Sequence, residues 1–515
     1  MEIRGFWKAA AEQPERIAVI EPDGRRIAAG ELLAAANQTV AGLRMLGLRH
    51  GDVVAMALPN CGATFELLLA GMQAGWHLVP INTHLTDTEM AYILRDSGAR
   101  AFFGHERLAQ RCAEAAQAAD LPAKVRFAVG EVPGFRPLAA LRDRQPSSLP
   151  GDRLAGQIMQ YTSGTTGRPK GVHRDLAPFD PETAIALYAQ HLLRFDITPG
   201  GGHVHLCGSP MYHLAPLAYA WFSLHFEHLV VLMDRWTPHE ALEQITRHGV
   251  TTTHMVPTQF HRLLQLSSEE RGRYRTSSLR HVLHAAAPCP VEVKRRMLEW
   301  WGPVIYEYYG ASEGGGTLVK ADEWLGKPGT VGRPWAGAAI RILDDDGKEC
   351  PPGSPGTVYL KLLQPFEYRG DPEKTRASRR GDFFTVGDVG YLDADGYLFL
   401  CDRKIDMIIS GGVNIYPAEV EAVLLTHPRV GDAAVFGIPD DEWGERVKAV
   451  VEPASDVAPG PELAQELLAF CAGKLAHYKC PSSVDFVDAL PRDPNGKLYK
   501  RRLRDPYWQN RERAI

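Results

Sequence analysis

The sequence predicts an α/β protein with a large N-terminal domain of layered α/β subdomains, a small β-subdomain, and a small α+β C-terminal domain. Three observations support this. In the first half, short apolar strands alternate with helical segments of about 10–15 residues, which is typical of parallel sheets. After Thr330 the pattern changes to short strands separated by Gly, Asp and Pro. From Arg403 onward, helices and strands mix again. We therefore predict domains at 1–402, with the β-subdomain at about 330–402, and at 403–515.

Local patterns justify the individual elements. The apolar stretch 52–58 predicts a buried strand, and Thr86 with Glu89 forms a capping box that predicts the start of a helix at 89–99. Apolar residues at helical spacing predict a helix at 239–249. Asp and Gly at 394–396 predict a hairpin turn in the β-subdomain, and the segment 144–153 is expected to be a surface loop.

Composition excludes several classes of protein. The chain has 515 residues, of which 45% are hydrophobic and 23% charged, and its net charge of −5 does not favour nucleic acid or an anionic membrane. The eight cysteines form no CxxC pair, which argues against a disulfide framework or structural zinc. The first 21 residues lack a signal-peptide core, and no apolar run predicts a membrane span. We expect a cytoplasmic protein, and a homodimer is left open.

The stretch YTSGTTGRPKGV, residues 161–172, is rich in glycine and hydroxyl side chains. It fails the Walker pattern, because the residue five positions after Gly164 is Pro169 and Lys170 precedes a glycine. Glycines that adopt positive φ still allow successive N–H groups to converge on an anion. The residues that would bind phosphate are Thr162, Ser163, Gly164, Thr165, Thr166, Gly167 and Lys170, and a polar surface loop is the alternative.

The whole motif resembles the phosphate loop of the adenylate-forming superfamily, which includes acyl-CoA synthetases, adenylation domains of peptide synthetases, and luciferases. Further segments resemble the same family, in the family's order, across nearly the whole chain. They are PMYHLAP (210–216), AAAPCP (285–290), YYGASEGG (308–315), TVGDVGYLDADGYLFL (385–400), DRKIDMIISGGVNIYPAEVE (402–421) and PRDPNGKLYKRRLRD (491–505).

The resemblance implies a two-step reaction with ATP, Mg²⁺ and coenzyme A. A carboxylate attacks the α-phosphate of ATP to give an acyl-adenylate and pyrophosphate, and the thiol of coenzyme A then displaces AMP. Both steps pass through anionic states, so stabilising charge should dominate catalysis. The implied catalytic residues are Lys497, which reaches the α-phosphate, Glu313, and His213 at the mouth of the acyl pocket. Glu313 and Ser163 are the implied magnesium ligands.

The resemblance also implies the remaining binding residues. Asp388 should accept from the ribose hydroxyls, Arg403 should reach the ribose or phosphate, and Tyr309 can stack on adenine. The other nucleotide residues are Ala286, Ala287, Pro288, Glu307, Tyr308, Gly310, Ala311 and Ser312. The acyl pocket is assigned to Met211, Tyr212, His213, Met255, Val256 and Tyr306, and coenzyme A to Ser410, Gly411, Gly412 and Trp443. Packing is the alternative for each aromatic and methionine.

In this family the C-terminal domain rotates between two poses, one that uses Lys497 and one that uses the loop around Gly412. The pivot is usually a polar residue, but here its position holds Ile405, between Lys404 and Asp406. Rotation is still expected, since a hinge does not require one residue type. Lys404 or Asp406 could share the pivot.

Two other classes of function were considered. Residues 310–314 satisfy GxSxG, the nucleophile elbow of α/β-hydrolases, with Ser312 as nucleophile. An elbow requires a helix at once, and GGGTLV is a poor helix start. His203, His205 and Cys207 alternate along one strand and could bind a metal, although strand packing is favoured.

The sequence thus predicts an ATP-dependent acyl-CoA synthetase for a medium-chain, long-chain or bulky alicyclic acid. An aromatic-acid CoA ligase, or an acyl-AMP ligase that loads a carrier protein, is the alternative.

Overall fold

A computed structural model describes residues 3–162, 169–492 and 496–509 of the chain. The loop residues Ser163, Gly164, Thr165, Thr166 and Gly167 lie outside the described residues. The structure divides into two compact units that each combine several stretches of chain. The first unit comprises Met1–Met255, Ser268–Leu283 and Gln364–Ala377, and the second comprises Val256–Ser267, His284–Leu363 and Ser378–Ile515.

The first unit contains two larger sheets and one small sheet, with helices between the strands. Its α-helices are Phe6–Glu12, Ala29–Met45, Gly62–Ala74, Asp87–Ser97, Ala109–Ala118, Leu138–Arg142, Pro181–Tyr188, Gln190–Leu193, Leu214–His225, Pro238–His248, Ser268–Gly272 and Pro372–Ala377, and its 3₁₀ turns are Glu106–Leu108 and Ala123–Val125.

One sheet of the first unit is entirely parallel. Its central strand Val53–Met56 is buried at every residue, as expected for a parallel strand covered on both faces. The helix Asp87–Ser97 begins with the expected capping box, in which Thr86 and Glu89 exchange hydrogen bonds. The strand order is Arg136–Pro137, Arg126–Val129, Ala99–His105, Val53–Met56, His77–Pro80 and Gln157–Ile158.

The other large sheet of this unit has an antiparallel edge on a parallel core. The helix Pro238–His248 buries Leu242 and Ile245, as its pattern predicts, and leads to a buried strand. The strand order is Thr252–Met255, Val204–Cys207, Leu229–Leu232, Ile17–Ile20 and Arg26–Ala28. The small sheet has the order Glu367–Tyr368, Lys170–His173 and Gln160–Thr162, and His281–His284 is a further strand that ends at the border of the unit.

The second unit contains the predicted β-rich segment and the mixed segment after Arg403. Its α-helices are Pro257–Gln265, Val291–Trp301, Ala321–Gly326, Pro417–Leu424, Pro461–Ala472 and Lys500–Arg504, and its 3₁₀ turns are His477–Lys479 and Asp505–Trp508. Three strands pair in the order Arg333–Pro334, Gly314–Val319 and Ile305–Ala311.

Two further sheets complete the second unit. In the first, a turn at Asp393–Gly396 joins two antiparallel strands, as the sequence predicts, and Gly396 takes φ +79° there. Its strand order is Arg379–Arg380, Phe383–Phe384, Gly356–Lys361, Asp388–Leu392 and Leu398–Arg403, with Ile340–Leu343 paired to Gly356–Lys361. The second has the order Val413–Ile415, Ile408–Ser410, Gly444–Pro453 and Val430–Asp440, with Ser483–Phe486 paired to Gly444–Pro453.

The α/β fold class is therefore confirmed. The segment 144–153 contains no helix or strand, as predicted. No helix among the described ranges combines the length and apolarity that a membrane crossing requires.

Candidate active site

The second unit presents Ser312 and Glu313 at the turn of a tight hairpin. The strand Ile305–Ala311 pairs antiparallel with Gly314–Val319 through the register Ala311 to Gly314. Gly316 has φ +153°, and a Cβ there would lie 2.1 Å from the ring of Trp335. The glycine run therefore lets the hairpin pack closely on its neighbour, which a larger residue would prevent.

A three-residue cluster lies where the ribose is expected to bind. The Tyr309 hydroxyl donates to Asp388 Oδ2 at 2.6 Å, and Arg403 Nε lies 3.5 Å from Asp388 Oδ1. Burial and the neighbouring Asp388 carboxylate raise the pKa of Tyr309, so its hydroxyl stays protonated and can donate. The structure thus brings together three of the predicted nucleotide residues, through a tyrosine hydroxyl whose partner the sequence did not indicate.

Glu307, expected to contact the nucleotide, directs its carboxylate into a buried ion pair. Lys294 Nζ lies 2.6 Å from Glu307 Oε2, and the two side chains are 0% and 6% exposed. His284 Nε2 lies 3.6 Å from the same oxygen. Because the side chain is committed to Lys294, a nucleotide contact by Glu307 would have to use its main chain. Sequence reasoning missed Lys294, which looks like an ordinary surface lysine in a helix.

The predicted adenine-side loop, Ala286 to Pro288, has an unusual backbone. Ala286 adopts φ +75°, which costs a residue with a Cβ about 1–2 kcal/mol. Such strain is characteristic of functional loops. The loop joins His284 to the helix Val291–Trp301, and the buried Lys294–Glu307 ion pair holds that helix to the strand Ile305–Ala311.

In the first unit, the residues on either side of the predicted phosphate loop form an antiparallel pair. Thr162 pairs with Lys170, and Tyr161 pairs with Gly171. The Tyr161 hydroxyl donates to Asp96 at 2.6 Å, and Lys170 Nζ lies 3.4 Å from Asp371 Oδ2. Thr162 and Lys170, which flank the loop, are therefore held next to each other by this strand pairing.

The segment with the predicted acyl-pocket residues is fixed by two buried amides. Asn60 Oδ1 accepts from the Met211 N–H at 2.9 Å, and Gln160 Nε2 donates to the Tyr212 carbonyl at 2.9 Å. Met211 and Tyr212 are buried, and His213 is the N-cap of the helix Leu214–His225. Asn60 and Gln160 were not identified from the sequence, because both lie far from residues 210–213 along the chain.

The remaining predicted residues of the acyl pocket, and three predicted nucleotide residues, lie on or next to regular elements. Met255 is the buried last residue of a strand in the first unit. In the second unit, Val256 is the buried N-cap of the helix Pro257–Gln265. Tyr306, Tyr308, Gly310 and Ala311 lie on the strand Ile305–Ala311.

The predicted coenzyme A loop is a two-residue hairpin turn. Ser410 pairs with Val413, and Gly411 and Gly412 adopt φ +58° and +79°, which is the backbone of a type I′ turn. The Gly411 N–H donates to the Trp443 carbonyl at 2.8 Å, and a Cβ at Gly411 would lie 2.5 Å from the Trp443 ring. The structure brings these four residues together, and Trp443 is 55% exposed.

The residues around the predicted hinge make ion pairs and a main-chain contact. Lys404 Nζ donates to Asp345 at 2.6 Å, and Asp406 lies 3.7 Å from Arg504. Arg504 also donates to the Ile405 carbonyl at 3.3 Å. A hinge at these positions stays a prediction.

Lys497 lies one residue after Gly496, which contacts the start of the helix Pro257–Gln265. A Cβ on Gly496 would lie 2.8 Å from Thr258 Oγ1 and 3.2 Å from Val256 Cγ2. The lysine segment is therefore adjacent to Val256, one of the predicted walls of the acyl pocket.

The two alternative sites have a different structural explanation. Ser312 is followed by the strand Gly314–Val319, whereas a nucleophile elbow requires a helix, so the hydrolase interpretation is wrong. His203 and His205 each pair through Nδ1 with a threonine hydroxyl, at 3.0 and 2.9 Å. Within the described ranges, no group of His, Cys, Asp and Glu side chains is arranged to hold a metal ion. Both histidines are buried and hydrogen-bonded to threonines of the neighbouring strand region.

Comparison with known proteins identifies the class of enzyme. Residues 6–366 match the family of AMP-binding enzymes, and residues 419–497 match the AMP-binding enzyme C-terminal domain. The chain belongs to this family, the adenylate-forming superfamily, and is an AMP-forming acid–thiol ligase.

The chain is similar over nearly its whole length to proteins whose names indicate different substrates. The chain is 32% identical to the fatty acid–[acyl-carrier-protein] ligase ScoC of Streptomyces coeruleorubidus, over 98% of this chain and 96% of that protein. It is also 32% identical to the long-chain-fatty-acid–CoA ligase FadD13 of Mycobacterium tuberculosis, with 97% of each chain covered. The anthranilate CoA ligase AuaEII, solved in complex with anthranoyl-AMP, superposes with a TM-score of 0.85 at 25% identity, covering 99% of this chain and 98% of that chain.

Proposed function

We propose that the chain is an ATP-dependent acyl-CoA synthetase for a medium-chain, long-chain or bulky alicyclic carboxylic acid. In the first half-reaction, an oxygen of the acid attacks the α-phosphorus of ATP and pyrophosphate leaves. In the second, the coenzyme A sulfur attacks the acyl carbonyl, its proton is lost, and AMP leaves. The acid is thereby converted to a thioester at the cost of one phosphoanhydride bond.

The observation that carries this proposal is the position of the lysine segment. Gly496, directly before Lys497, contacts Thr258 and Val256 in the second unit. In the same unit, Tyr309, Asp388 and Arg403 form the candidate ribose cluster. A long ammonium side chain can follow two oxygens whose positions change as the adenylate forms.

The substrate class is inferred from the candidate pocket residues. Met211, Tyr212, Met255 and Val256 are buried and mainly apolar, which suits an aliphatic or alicyclic acid better than acetate. His213 follows Met211 and Tyr212 as the N-cap of the helix Leu214–His225. The ring centroids of His213 and Tyr212 lie 4.6 Å apart. The name of FadD13 agrees with a long-chain acid, and the ligand of AuaEII agrees with the aromatic alternative.

One predicted magnesium ligand, the carboxylate of Glu313, has the chemistry that magnesium prefers. Mg²⁺ prefers oxygen ligands and usually takes one or two carboxylates while phosphates and water complete its shell. Glu313 is a carboxylate at the turn of the nucleotide hairpin, and it would hold the ion with ATP. When bound, the ion would neutralise phosphate charge.

The thioester step is assigned to a second pose of residues 403–515. The type I′ turn of Gly411 and Gly412 has no side chain, so the pantetheine thread could pass along its backbone. Trp443 covers this turn and is exposed enough to contact the coenzyme A nucleotide.

The test is acid-dependent exchange of labelled pyrophosphate into ATP, run with acids of increasing size and followed by a hydroxamate assay. We expect exchange with medium or bulky acids, and a loss of at least about 100-fold in Lys497→Ala, because the variant lacks the charge that stabilises the transition state. Thioester formation from supplied acyl-adenylate should survive in that variant. Absence of exchange with every acid would refute the proposal.

A second candidate acceptor is a carrier protein. The name of ScoC, a fatty acid–[acyl-carrier-protein] ligase, favours this alternative. Supplying either coenzyme A or a phosphopantetheinylated carrier after adenylate formation separates the two, and faster transfer to the carrier would favour the second acceptor.

A further inference from the structure

Arg492 links the lysine segment to a buried carboxylate. Its Nε and NH2 atoms donate to the two oxygens of Asp432 at 2.5 and 2.9 Å, and its NH1 atom donates to the Gly496 carbonyl at 2.7 Å. The arginine and aspartate side chains are only 16% and 9% exposed. A two-pronged pair of this kind fixes the plane of the guanidinium, so the third hydrogen bond is fixed as well.

The strand that carries Asp432 is held at its start by another element. Gly431 precedes Asp432, and its carbonyl accepts from His261 Nε2 at 2.8 Å and from Gln265 Nε2 at 3.3 Å. His261 and Gln265 are four residues apart on the helix Pro257–Gln265, so they share one face.

The same helix contacts the lysine segment at its other end. Thr258 in its first turn lies against Gly496, while His261 and Gln265 in its later turns bind Gly431. The helix, the Gly431–Asp432 strand start and Arg492 therefore form a closed set of contacts around Gly496. A catalytic group misplaced by about 1 Å can lose about 100-fold in rate, so contacts that fix the backbone next to Lys497 also affect how well its ammonium is placed.

We propose that Arg492 is a positioning residue, which acts through Gly496 to hold Lys497 in place for adenylation and is itself oriented by Asp432. In this proposal, His261 and Gln265 hold the main chain at Gly431, next to the Asp432 that orients Arg492. The inference rests on the proposed function, because it assigns Arg492 to the half-reaction that uses Lys497. Thioester formation, which does not use Lys497, should not depend on Arg492.

The test compares Arg492→Met with Arg429→Met, a change of the same type in the same unit. Arg429 pairs with Glu466, and both side chains are 41% exposed. We expect Arg492→Met to slow acid-dependent pyrophosphate exchange by about 10- to 100-fold, the range typical of a misplaced catalytic group. Thioester formation from supplied acyl-adenylate should stay within about twofold of the parent protein, and Arg429→Met should leave both half-reactions within about twofold.

A double-mutant cycle with Lys497→Ala separates positioning from a general structural effect. If Arg492 acts through Lys497, adding Arg492→Met to Lys497→Ala causes no further loss of exchange. Losses that multiply, or equal losses in both half-reactions, would overturn the proposal. Arg492→Lys keeps the charge but not the fork, so it should lose less than the methionine variant.

Hydrogen exchange supplies a readout that does not depend on catalysis. In Arg492→Met, amides at 496–500 should exchange faster than in the parent protein, whereas Arg429→Met should leave them unchanged. Unaltered protection there would overturn the proposal even if activity falls. If the parent protein shows no pyrophosphate exchange with any acid, the proposed function fails, yet this measurement still decides whether Arg492 holds the segment.

Discussion

Replacing Lys294 by methionine should destabilise the protein by removing the partner of a buried carboxylate. Lys294 Nζ lies 2.6 Å from Glu307 Oε2, with both side chains almost fully buried. The ammonium also lies 4.7 Å from the centre of the Trp324 ring. The loss of one partner from a buried ion pair costs about 3–5 kcal/mol, because the remaining charge has been removed from water without compensation. We therefore expect the free energy of unfolding to fall by about 3 kcal/mol or more.

Protonation of the remaining carboxylate should limit the loss. Burial already raises the pKa of Glu307 although Lys294 opposes this, and removing the lysine should raise it further. In Lys294→Met, the pKa of Glu307 is then higher in the folded state than in the unfolded state. As the pH rises, Glu307 therefore loses its proton in the unfolded state first. This favours unfolding, so the variant becomes less stable relative to the parent protein. The deficit of Lys294→Met should accordingly be larger at pH 8 than at pH 6.

Urea unfolding of the parent protein, Lys294→Met, and the double variant Lys294→Met/Glu307→Leu measures this directly. The double variant replaces the pair by apolar groups and should regain most of the stability. Arg429→Met, which breaks an exposed pair, should cost less than about 1 kcal/mol. The reasoning is refuted if Lys294→Met costs less than about 1 kcal/mol, or if the double variant is no more stable than the single one.

Three further predictions concern the nucleotide site, the coenzyme A loop and acid stability. Tyr309→Phe removes the hydrogen bond to Asp388 and should raise the KM for ATP by about 10-fold or more, since a bond to a charged group contributes about 1.5–3 kcal/mol. Gly412→Leu should reduce thioester formation and spare pyrophosphate exchange in half-reaction assays, because a side chain at φ +79° would be strained and would obstruct the proposed thread. Burial lowers the pKa of both His205 and His254 to about 3, so between about pH 6 and 3 the unfolded state binds protons that the folded state does not. The free energy of unfolding, measured with urea, should therefore decrease as the pH is lowered through this range. The slope should approach about 1.4 kcal/mol per pH unit for each histidine.

Each of these has a matched control within the chain. Tyr397→Phe removes a hydroxyl that bonds Glu323 and should leave the KM for ATP unchanged. Gly396→Leu has the same φ of +79° and similarly open surroundings, so equal loss of thioester formation in it would contradict the pantetheine path. Substitution of His205 by Gln should flatten the acid dependence, whereas His239→Gln, at a half-exposed site, should not. An unchanged pH slope in His205→Gln would contradict the explanation.

Local features of the fold were predictable because their causes lie within a few residues. Thr86 and Glu89 form their capping box within one helical turn, and the Asp393–Gly396 turn depends on its own glycine. The strand Val53–Met56 is buried at every residue, as its continuous apolar run predicts. The residues on either side of the predicted phosphate loop, Thr162 and Lys170, pair in an antiparallel ladder, and phosphate binding by the loop stays a prediction.

Contacts between distant parts of the chain could not be predicted in this way. Glu307 has the sequence context of a nucleotide residue, yet its carboxylate is bound by Lys294 from the preceding helix. Asn60 positions Met211 from 151 residues away, and nothing in the local pattern around Asn60 indicates that partner. Such pairs depend on which helix covers which strand, and that depends on the packing of the whole unit.

The order of motifs along the chain, by itself, determined the α/β class, the family and the residue types available for catalysis, because each motif is a local arrangement of backbone and charge. The tertiary structure decided which of those groups meet. It put Arg492 between Asp432 and Gly496, turned the Tyr309 hydroxyl toward Asp388, and buried Glu307 against Lys294. The physical reason is that the energy of a buried charge depends on its partner in space, and residues far apart in sequence become partners only when the chain has folded.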